Sequence, residues 1–138
     1  ARDWVRSETE TAVVAMPRSA GITFVGTAGT VTALAAMAQK LPAYEPARIH
    51  NYRLQLETVQ QLEQALLSRT KADRVGLPGL EKSREEVIAA GAIIIRTIME
   101  TLGEKECLVS DLGLREGVLI ELEQNGRRPK SAESGVGR

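Results

Sequence analysis

The sequence predicts an α/β fold that is rich in helix and has a short sheet. A short run of β-branched and aromatic residues, Ile22–Val25, precedes Gly26 and Gly29, and helical periodicity begins at once from Val31. The same order occurs near the end of the chain, where the apolar strand Glu106–Ser110 leads into a second glycine-containing turn and a last helix. Two such turns at the same edge of a sheet would form one crevice, which is where α/β sheets usually bind ligands.

Composition limits the functions that the chain can have. Its 138 residues and 43% hydrophobic content indicate one small globular domain with a core. Lys plus Arg and Asp plus Glu both number 18, and only 3% of residues are aromatic, so we expect no nucleic-acid partner. No signal peptide or membrane-length apolar run is visible, and a single cysteine fits a reducing compartment, so we expect a cytoplasmic protein without a membrane partner.

The helices are predicted from apolar spacing and end signals. A first helix spans residues 1 to about 16, and a second runs from Val31 to about Gln39 with Thr30 as a suitable N-cap. Residues 41 to 51 are predicted to be irregular. An amphipathic helix with Leu56, Val59, Leu62 and Leu66 on its buried face follows, and then a short helical turn capped by Thr70.

The most apolar segment, residues 87 to 95, predicts the central buried helix. Ser83 and Glu86 precede it at capping-box spacing, and Gly103 ends it. Gly91 within it suggests that another part of the backbone, such as the glycine turn, comes close. The last helix should run to about Leu122, which gives a domain over residues 1–123 and a disordered tail over residues 124–138.

Two isolated side chains are interpreted as structural. His50 is the only histidine, with no second His, Cys or close acidic cluster beside it, so we expect a hydrogen-bonding role and no metal site. Cys107 lies within the apolar strand, so we expect a buried side chain and not a nucleophile.

The first glycine turn has the features of an anion site. The first turn of a helix carries unpaired N–H donors and the positive end of the dipole, so phosphate is a natural guest. The candidate phosphate- or nucleotide-binding residues in this turn are Gly26, Thr27, Ala28, Gly29 and Thr30. The turn is neither a P-loop nor a dinucleotide fingerprint, so a plain strand-to-helix connection is the alternative.

Four segments in order resemble the exopolyphosphatase / guanosine pentaphosphate phosphohydrolase (Ppx/GppA) family. Val25–Leu34 resembles its glycine motif, and Ile49–Leu54 resembles its His-Gly-Tyr-x-Leu segment. Leu77–Leu80 with Arg84–Ile88 resembles its Pro-Gly-Leu and Arg-Ala-Asp-x-Ile signatures, and Val109–Leu119 resembles its Ser-Asp-x-Gly-x-Arg-Glu-Gly motif. The resemblance covers roughly residues 20 to 122, the later half of the family's second domain.

The resemblance implies a partial RNase H-like domain of the actin-like ATPase superfamily. Family members release terminal phosphate from inorganic polyphosphate or convert guanosine pentaphosphate to tetraphosphate, with Mg²⁺ as the implied cofactor. The catalytic glutamate, the phosphate hairpin and the metal ligands are expected outside this chain. Arg84 is the implied phosphate ligand, with a solvated arginine as the alternative. The second turn would line the cleft with Ser110, Asp111, Gly113, Arg115 and Glu116.

Arg115 and Glu116 are more readily interpreted as an ion pair that fixes the turn than as catalysts. Asn51 stands where the family has glycine, and it tolerates the left-handed backbone that a turn there needs. Glu86 stands where the family has aspartate, and capping is a sufficient reason for its presence.

Three hypotheses therefore remain open from the sequence. The chain is a C-terminal portion of a phosphoanhydride hydrolase, inactive alone, whose partners are polyphosphate or guanosine penta- and tetraphosphate and the missing N-terminal part of the enzyme. Alternatively, it is a non-catalytic module that senses guanosine nucleotides or phosphate. The third hypothesis is a structural fragment without activity of its own, held by a partner or by a domain swap with a second copy, because a sheet with two evident strands leaves unpaired edges.

Overall fold

The computed structural model describes residues 1–14 and 22–126. In chain order the elements are α1 (Arg2–Val14), β1 (Val25–Thr27), α2 (Gly29–Ala38), α3 (Pro46–Ile49), β2 (Arg53–Gln55), α4 (Leu56–Leu67), α5 (Lys71–Arg74), α6 (Ile88–Leu102), β3 (Glu106–Ser110) and α7 (Leu114–Gly126). The helix-rich α/β organisation with a short sheet is the predicted one.

The three strands form one sheet in the order β1-β3-β2. β1 runs parallel to β3 with Gly26 opposite Val109, and β2 runs antiparallel to β3 with Leu54 opposite Cys107. These four residues are buried, and the positions that flank them in β1 and β2 are exposed, so the sheet packs its helices on one face.

Two strand predictions need correction, although β3 has the predicted bounds. β1 begins at Val25 instead of Ile22, because pairing with β3 takes in the glycine turn as far as Thr27. β2 was not predicted at all. Its three residues alternate exposed, buried and exposed, and the ladder with β3 stabilises them more than local propensity does.

The helix at the centre of the core is α2, whereas the sequence predicted α6. Every residue from Val31 to Met37 is buried, and the small alanines in this run let neighbouring elements approach closely. Gly79, with φ of +81°, packs against the backbone of Ala36 and Met37. α6 is apolar on several sides but packs on only some of them, so Ile94 remains 44% exposed.

The predicted capping box at Ser83 and Glu86 does not form. α6 begins only at Ile88, Ser83 has φ of +72°, and Glu86 instead accepts from Lys71 Nζ at 2.8 Å. The turn that precedes α6 thus replaces the predicted first helical turn. The cap at Thr70 is confirmed, since its side chain and that of Asp73 form a reciprocal capping box.

Gly103 ends α6 in a left-handed conformation, with φ of +73°, as predicted. Asn51 also takes the expected left-handed backbone, with φ of +66°. Both turns therefore form where the sequence places a residue that tolerates this conformation.

The terminal helices differ in how they are attached to the core. α1 buries Val5 and packs on α6, and Arg2 and Arg96 both bond to the buried carboxylate of Glu63 on α4. The last two residues of the predicted first helix, 15 and 16, lie outside the described residues. α7 continues through Gly126, so the first three residues of the predicted tail are helical, and the rest of that prediction falls on residues 127–138, outside the described ranges.

Candidate functional site

The two glycine turns lie at the same edge of the sheet, as predicted. Because β1 and β3 are parallel, with Thr27 opposite Ser110, both chains leave the sheet at its carboxyl edge. Thr27 Oγ1 donates a hydrogen bond to the Leu112 carbonyl at 2.9 Å, which ties the first turn to the second. The two turns therefore form one continuous surface.

The first turn holds an unusual backbone conformation at Ala28. Its φ of 69° and ψ of 178° fall in a region that only glycine adopts readily, which costs about 1–3 kcal/mol for a residue with a Cβ. Strain of this kind collects at ligand sites. Ala28 occupies the N-cap of α2, and its methyl group offers no acceptor, so the first N–H groups of α2 keep their hydrogen-bonding capacity.

Thr30 does not cap α2, contrary to the prediction. It is the second residue of the helix, and a Cβ built on Gly91 would lie 2.5 Å from Thr30 Cγ2. The expected close approach to Gly91 thus comes from this side chain of the glycine turn, and α6 has no side chain there because Thr30 occupies the space.

Arg84 lies directly against the first turn, although it precedes α6 instead of belonging to it. A Cβ on Gly29 would lie 2.9 Å from Arg84 Cζ and would overlap the guanidinium nitrogen Nη1. Arg84 Nε also donates to Glu81 Oε2 at 2.7 Å, and the arginine side chain is 36% exposed. Gly29 thus admits a guanidinium beside the positive end of α2, where both groups favour an anion.

The second turn is held by Glu116 and Ser110. Gly113 N–H donates to Glu116 Oε2 at 2.8 Å. This hydrogen bond is the main reason why the pKa of Glu116 lies below its ordinary value. Arg115 Nη2 is 4.0 Å from Glu116 Oε1 and its side chain is 93% exposed. The Ser110 hydroxyl lies 3.2 Å from Leu112 N–H, from which it accepts. Glu116 therefore stabilises the turn through its bond to Gly113, whereas an exposed pair at this distance contributes little, so Arg115 has no comparable part in the turn.

Asp111 links the second turn to two residues from the preceding loop. Its backbone N–H donates to His50 Nδ1 at 3.3 Å, which confirms the structural role of the histidine. Its carboxylate accepts from the Tyr44 hydroxyl. Burial, followed by this bond, raises the pKa of Tyr44. The sequence analysis missed Tyr44; its only signal was an aromatic side chain between Pro42 and Pro46 in a chain with few aromatics.

Cys107 is fully buried in β3, and burial raises the pKa of its thiol to about 11. The thiolate that nucleophilic chemistry requires is therefore scarce at neutral pH, as predicted. Within residues 1–14 and 22–126, no three His, Cys, Asp or Glu side chains come together in a group that could hold a metal ion. The helices in these ranges also include none long and apolar enough to cross a membrane.

Members of a known phosphatase family share this fold. The chain belongs to the Ppx/GppA phosphatase family, whose model matches residues 1–126. Its resemblance to the family, carried by four short motifs, is thereby confirmed.

The chain is similar to an exopolyphosphatase and to a guanosine-phosphate pyrophosphatase. The chain is 33% identical over 126 residues to "Exopolyphosphatase 2" of Mycobacterium tuberculosis, covering 88% of this chain and 40% of that protein. It is 32% identical over 120 residues to "Guanosine-5'-triphosphate,3'-diphosphate pyrophosphatase" of Aeromonas hydrophila, covering 84% of this chain and 23% of that protein. The chain thus spans at most about two fifths of the length of these relatives.

Solved structures support the predicted fold. A Ppx/GppA family member from Aquifex aeolicus superposes with a TM-score of 0.81 at 28% identity, covering 91% of this chain and 40% of that one. A second Aquifex aeolicus structure, the type II variant of the Ppx/GppA phosphatase, gives a TM-score of 0.78 at 29% identity over 87% of this chain and 39% of that one. The chain has part of the RNase H-like fold of the actin-like ATPase superfamily.

Proposed function

We propose that this chain forms the phosphate-binding wall of a phosphoanhydride hydrolase. The substrate of the complete enzyme would be inorganic polyphosphate or guanosine pentaphosphate. One observation carries the proposal: the Arg84 guanidinium lies against Gly29, at the N-terminus of the helix that follows the strained residue Ala28. Two independent sources of positive potential meet there, next to donors that the helix itself leaves free.

The chain's own groups would bind and orient the phosphate. N–H groups in the first turn of α2 would donate to phosphate oxygens, and Arg84 would bind two oxygens of the same or the next phosphate. The Thr27–Leu112 bond would keep the second turn at a fixed distance from the first. These groups lower the energy of the bound anion, and they include no candidate for activating water.

Mg²⁺ is the cofactor that we propose for the complete enzyme, where it would neutralise phosphate oxygens. Residues 1–14 and 22–126 contain no group of three His, Cys, Asp or Glu side chains that would hold it. The two carboxylates of the second turn are already engaged, Asp111 by Tyr44 and Glu116 by the backbone of Gly113. We therefore propose that the metal ligands and the carboxylate that activates water come from outside these residues.

A protein partner for α7 is a further part of the proposal. This helix buries none of its residues in the described structure. Its exposed apolar side chains are Leu114, Val118, Leu119, Ile120 and Leu122. Either the remaining part of the enzyme or a second copy of the chain would cover them. Light scattering tests the second arrangement, which predicts a concentration-dependent dimer that Leu119→Glu abolishes, whereas a monomer at all concentrations favours the first.

Calorimetric titration with inorganic tripolyphosphate tests the proposal. Arg84→Ala should weaken binding at least tenfold, because a hydrogen bond to a charged group contributes about 1.5–3 kcal/mol. Arg48→Ala is the matched control, since Arg48 and Arg84 each pair with a glutamate three residues earlier and only Arg84 contacts the turn. Equal affinity for the two variants would overturn the proposal.

Phosphate release separates binding from hydrolysis. The chain alone should bind tripolyphosphate without releasing orthophosphate in a colorimetric assay with Mg²⁺. Steady release by the chain alone would contradict the proposal that water activation resides elsewhere. Binding without turnover would also suit a phosphate- or guanosine-nucleotide-sensing module, so turnover by the complete protein distinguishes the enzyme from the sensor.

A further inference from the structure

A groove of about 710 Å³ runs along α4 from Glu57 to Ser68, and Arg96 of α6 lines it as well. Because an α-helix rises about 1.5 Å per residue, this stretch is about 16 Å long. The volume lies within the range of about 300–1,000 Å³ that small-molecule sites occupy. None of the residues of the two glycine turns lines the groove, so it is separate from the proposed phosphate site.

Glu63 lines this groove with a carboxylate that the fold uses only in part. The residue is 2% exposed, and its Oε1 atom accepts from Arg2 Nη2 and, at 3.2 Å, from Arg96 Nη1. Its Oε2 atom has no hydrogen-bond partner, and among residues 1–14 and 22–126 it is the only buried side-chain nitrogen or oxygen of which this is true. A buried acceptor without a donor is destabilising, so a ligand that donates to Oε2 recovers that cost.

The donors that lie next to Glu63 are engaged elsewhere. Gln60, one helical turn earlier, donates from Nε2 to Glu100 Oε1 at 3.0 Å, and Arg96 Nε donates to the same oxygen at 2.7 Å. With Glu57 at one end of the groove, three carboxylates accompany the two guanidinium groups of this network. A ligand for Oε2 must carry a donor, and the surplus of negative charge favours a cation.

An organic ammonium group fits these surroundings better than a metal ion. In the part of the chain that the structure describes, no three His, Cys, Asp or Glu side chains form a group that could hold a metal. A primary ammonium group needs only one carboxylate oxygen, and its other N–H groups can donate to the amide oxygens of Gln60 and Gln64 in the groove. Glu57 lies six residues before Glu63, about 9 Å along the helix axis, so a second ammonium group at that distance would reach it.

We propose that this groove binds an aliphatic diamine, with one ammonium group on Glu63 Oε2 and the other on Glu57. The site is independent of the proposed phosphate site, and it gives the chain a second class of ligand with the opposite charge. The contact with Glu63 is the stronger of the two because it is buried, whereas the exposed carboxylate of Glu57 adds little affinity.

Titration calorimetry in a phosphate-free buffer tests the site on the unmodified chain. The ligands are hexamethylenediamine, hexylamine, which has one ammonium group, and hexanol, which has none. Hexylamine should bind about threefold more weakly than the diamine, because it loses only the exposed pair, and hexanol should give no measurable binding. Absence of binding by both amines would overturn the proposal.

Glu57→Gln tests the second contact, with Glu121→Gln as the matched control. Glu57 and Glu121 are both exposed, and Glu121 lies on α7, which contributes no residue to the groove. Glu57→Gln should lower the affinity for the diamine to that for hexylamine and leave hexylamine unchanged, and Glu121→Gln should alter neither. Equal losses in the two variants would refute the site, because they would show attraction to the overall charge alone.

Glu63→Gln tests the first contact, since it keeps the shape of the side chain but replaces one carboxylate oxygen by an N–H donor. It should lower the affinity for both amines at least tenfold, whereas Arg84→Ala should leave both unchanged. Glu63→Gln also removes the charged partner of Arg2 and Arg96, so thermal melting must show that the variant is folded.

A two-dimensional ¹H–¹⁵N spectrum of the unmodified chain provides a test that does not depend on the folding of Glu63→Gln. On titration with hexamethylenediamine, the side-chain amide resonances of Gln60 and Gln64 and the Nε–H of Arg96 should shift, while the backbone amides of Gly29 and Thr30 stay in place. Unmoved Gln60, Gln64 and Arg96 resonances would overturn the proposal.

Discussion

Substitution of Gly79 by alanine should destabilise the protein far more than the same change at Gly76. Both glycines have a left-handed backbone, with φ of +81° and +78°, so both variants incur a conformational cost of about 1–2 kcal/mol. At Gly76 the new methyl group would point into open space, with nothing within 4 Å. At Gly79 it would overlap the backbone of Ala36 and Met37, inside the central helix α2.

The expected difference follows from this contact. Backbone atoms of a buried helix cannot move aside as a flexible side chain can, so overpacking adds about 1–3 kcal/mol at Gly79 alone. Changes in the entropy of the unfolded chain are the same for both variants and cancel in the comparison. Gly79→Ala should therefore lose about 2–5 kcal/mol of unfolding free energy and Gly76→Ala about 1–2 kcal/mol.

Urea unfolding followed by far-ultraviolet circular dichroism measures both losses. The dependence of the free energy on urea concentration should stay the same, so that the midpoints report stability directly. Equal losses in the two variants would refute the reasoning, because they would show that the loop containing Gly79 does not pack on α2.

Two substitutions and one labelling experiment test the site and its surroundings. Gly29→Ala should displace the Arg84 guanidinium from the turn and so weaken tripolyphosphate binding about tenfold, as calorimetry would show. Thermal stability should fall little in a melting experiment, because the guanidinium is the flexible end of a side chain and can move aside. Cys107 should react with an aromatic disulfide reagent at neutral pH only as fast as the protein unfolds, since its thiol is buried with a pKa of about 11, and rapid labelling of the folded protein would contradict this. The pKa of Glu116 is lowered from 4.5 by the Gly113 N–H, so its contribution to stability is complete above its unfolded pKa and is lost as the pH falls through the lower folded value. Glu116→Gln should therefore be less stable than the unmodified chain at neutral pH and equal to it in strong acid, as thermal melts across the pH range would show.

Elements with a strong local signal were predictable from the sequence. The strand Glu106–Ser110 and the ends marked by Thr70 and Gly103 agree with the structure. Each depends on chemistry within a few residues, namely a short apolar run, a reciprocal side-chain cap and a left-handed glycine. The edge shared by the two turns was also predictable, because repeated strand–turn–helix units imply it.

Features that depend on distant contacts were not predictable. Arg53–Gln55 has no strand signal of its own and pairs only because β3 lies beside it. The start of α6 was misplaced because Ser83 and Glu86 have the right spacing for a capping box, while Glu86 pairs with Lys71 instead. Sequence periodicity cannot report such competition between local and tertiary partners.

The residues of the candidate site also divide into those predictable from the sequence and those that are not. The glycine turn, Arg84 and the residues of the second turn were named from the sequence, and the structure brings the two turns and Arg84 together. Tyr44 was missed, because it belongs to no motif and its hydrogen bond to Asp111 joins two loops that are distant in sequence.

The most direct test of the central claim is a two-dimensional ¹H–¹⁵N spectrum of the chain titrated with inorganic tripolyphosphate. The claim is that phosphate binds to backbone N–H groups at the start of α2, beside Arg84. The amide resonances of Gly29, Thr30 and Val31 and the Nε–H of Arg84 should shift progressively, while those of α4 stay in place. Shifts confined to exposed lysines such as Lys105, with the Gly29–Val31 amides unmoved, would contradict the account.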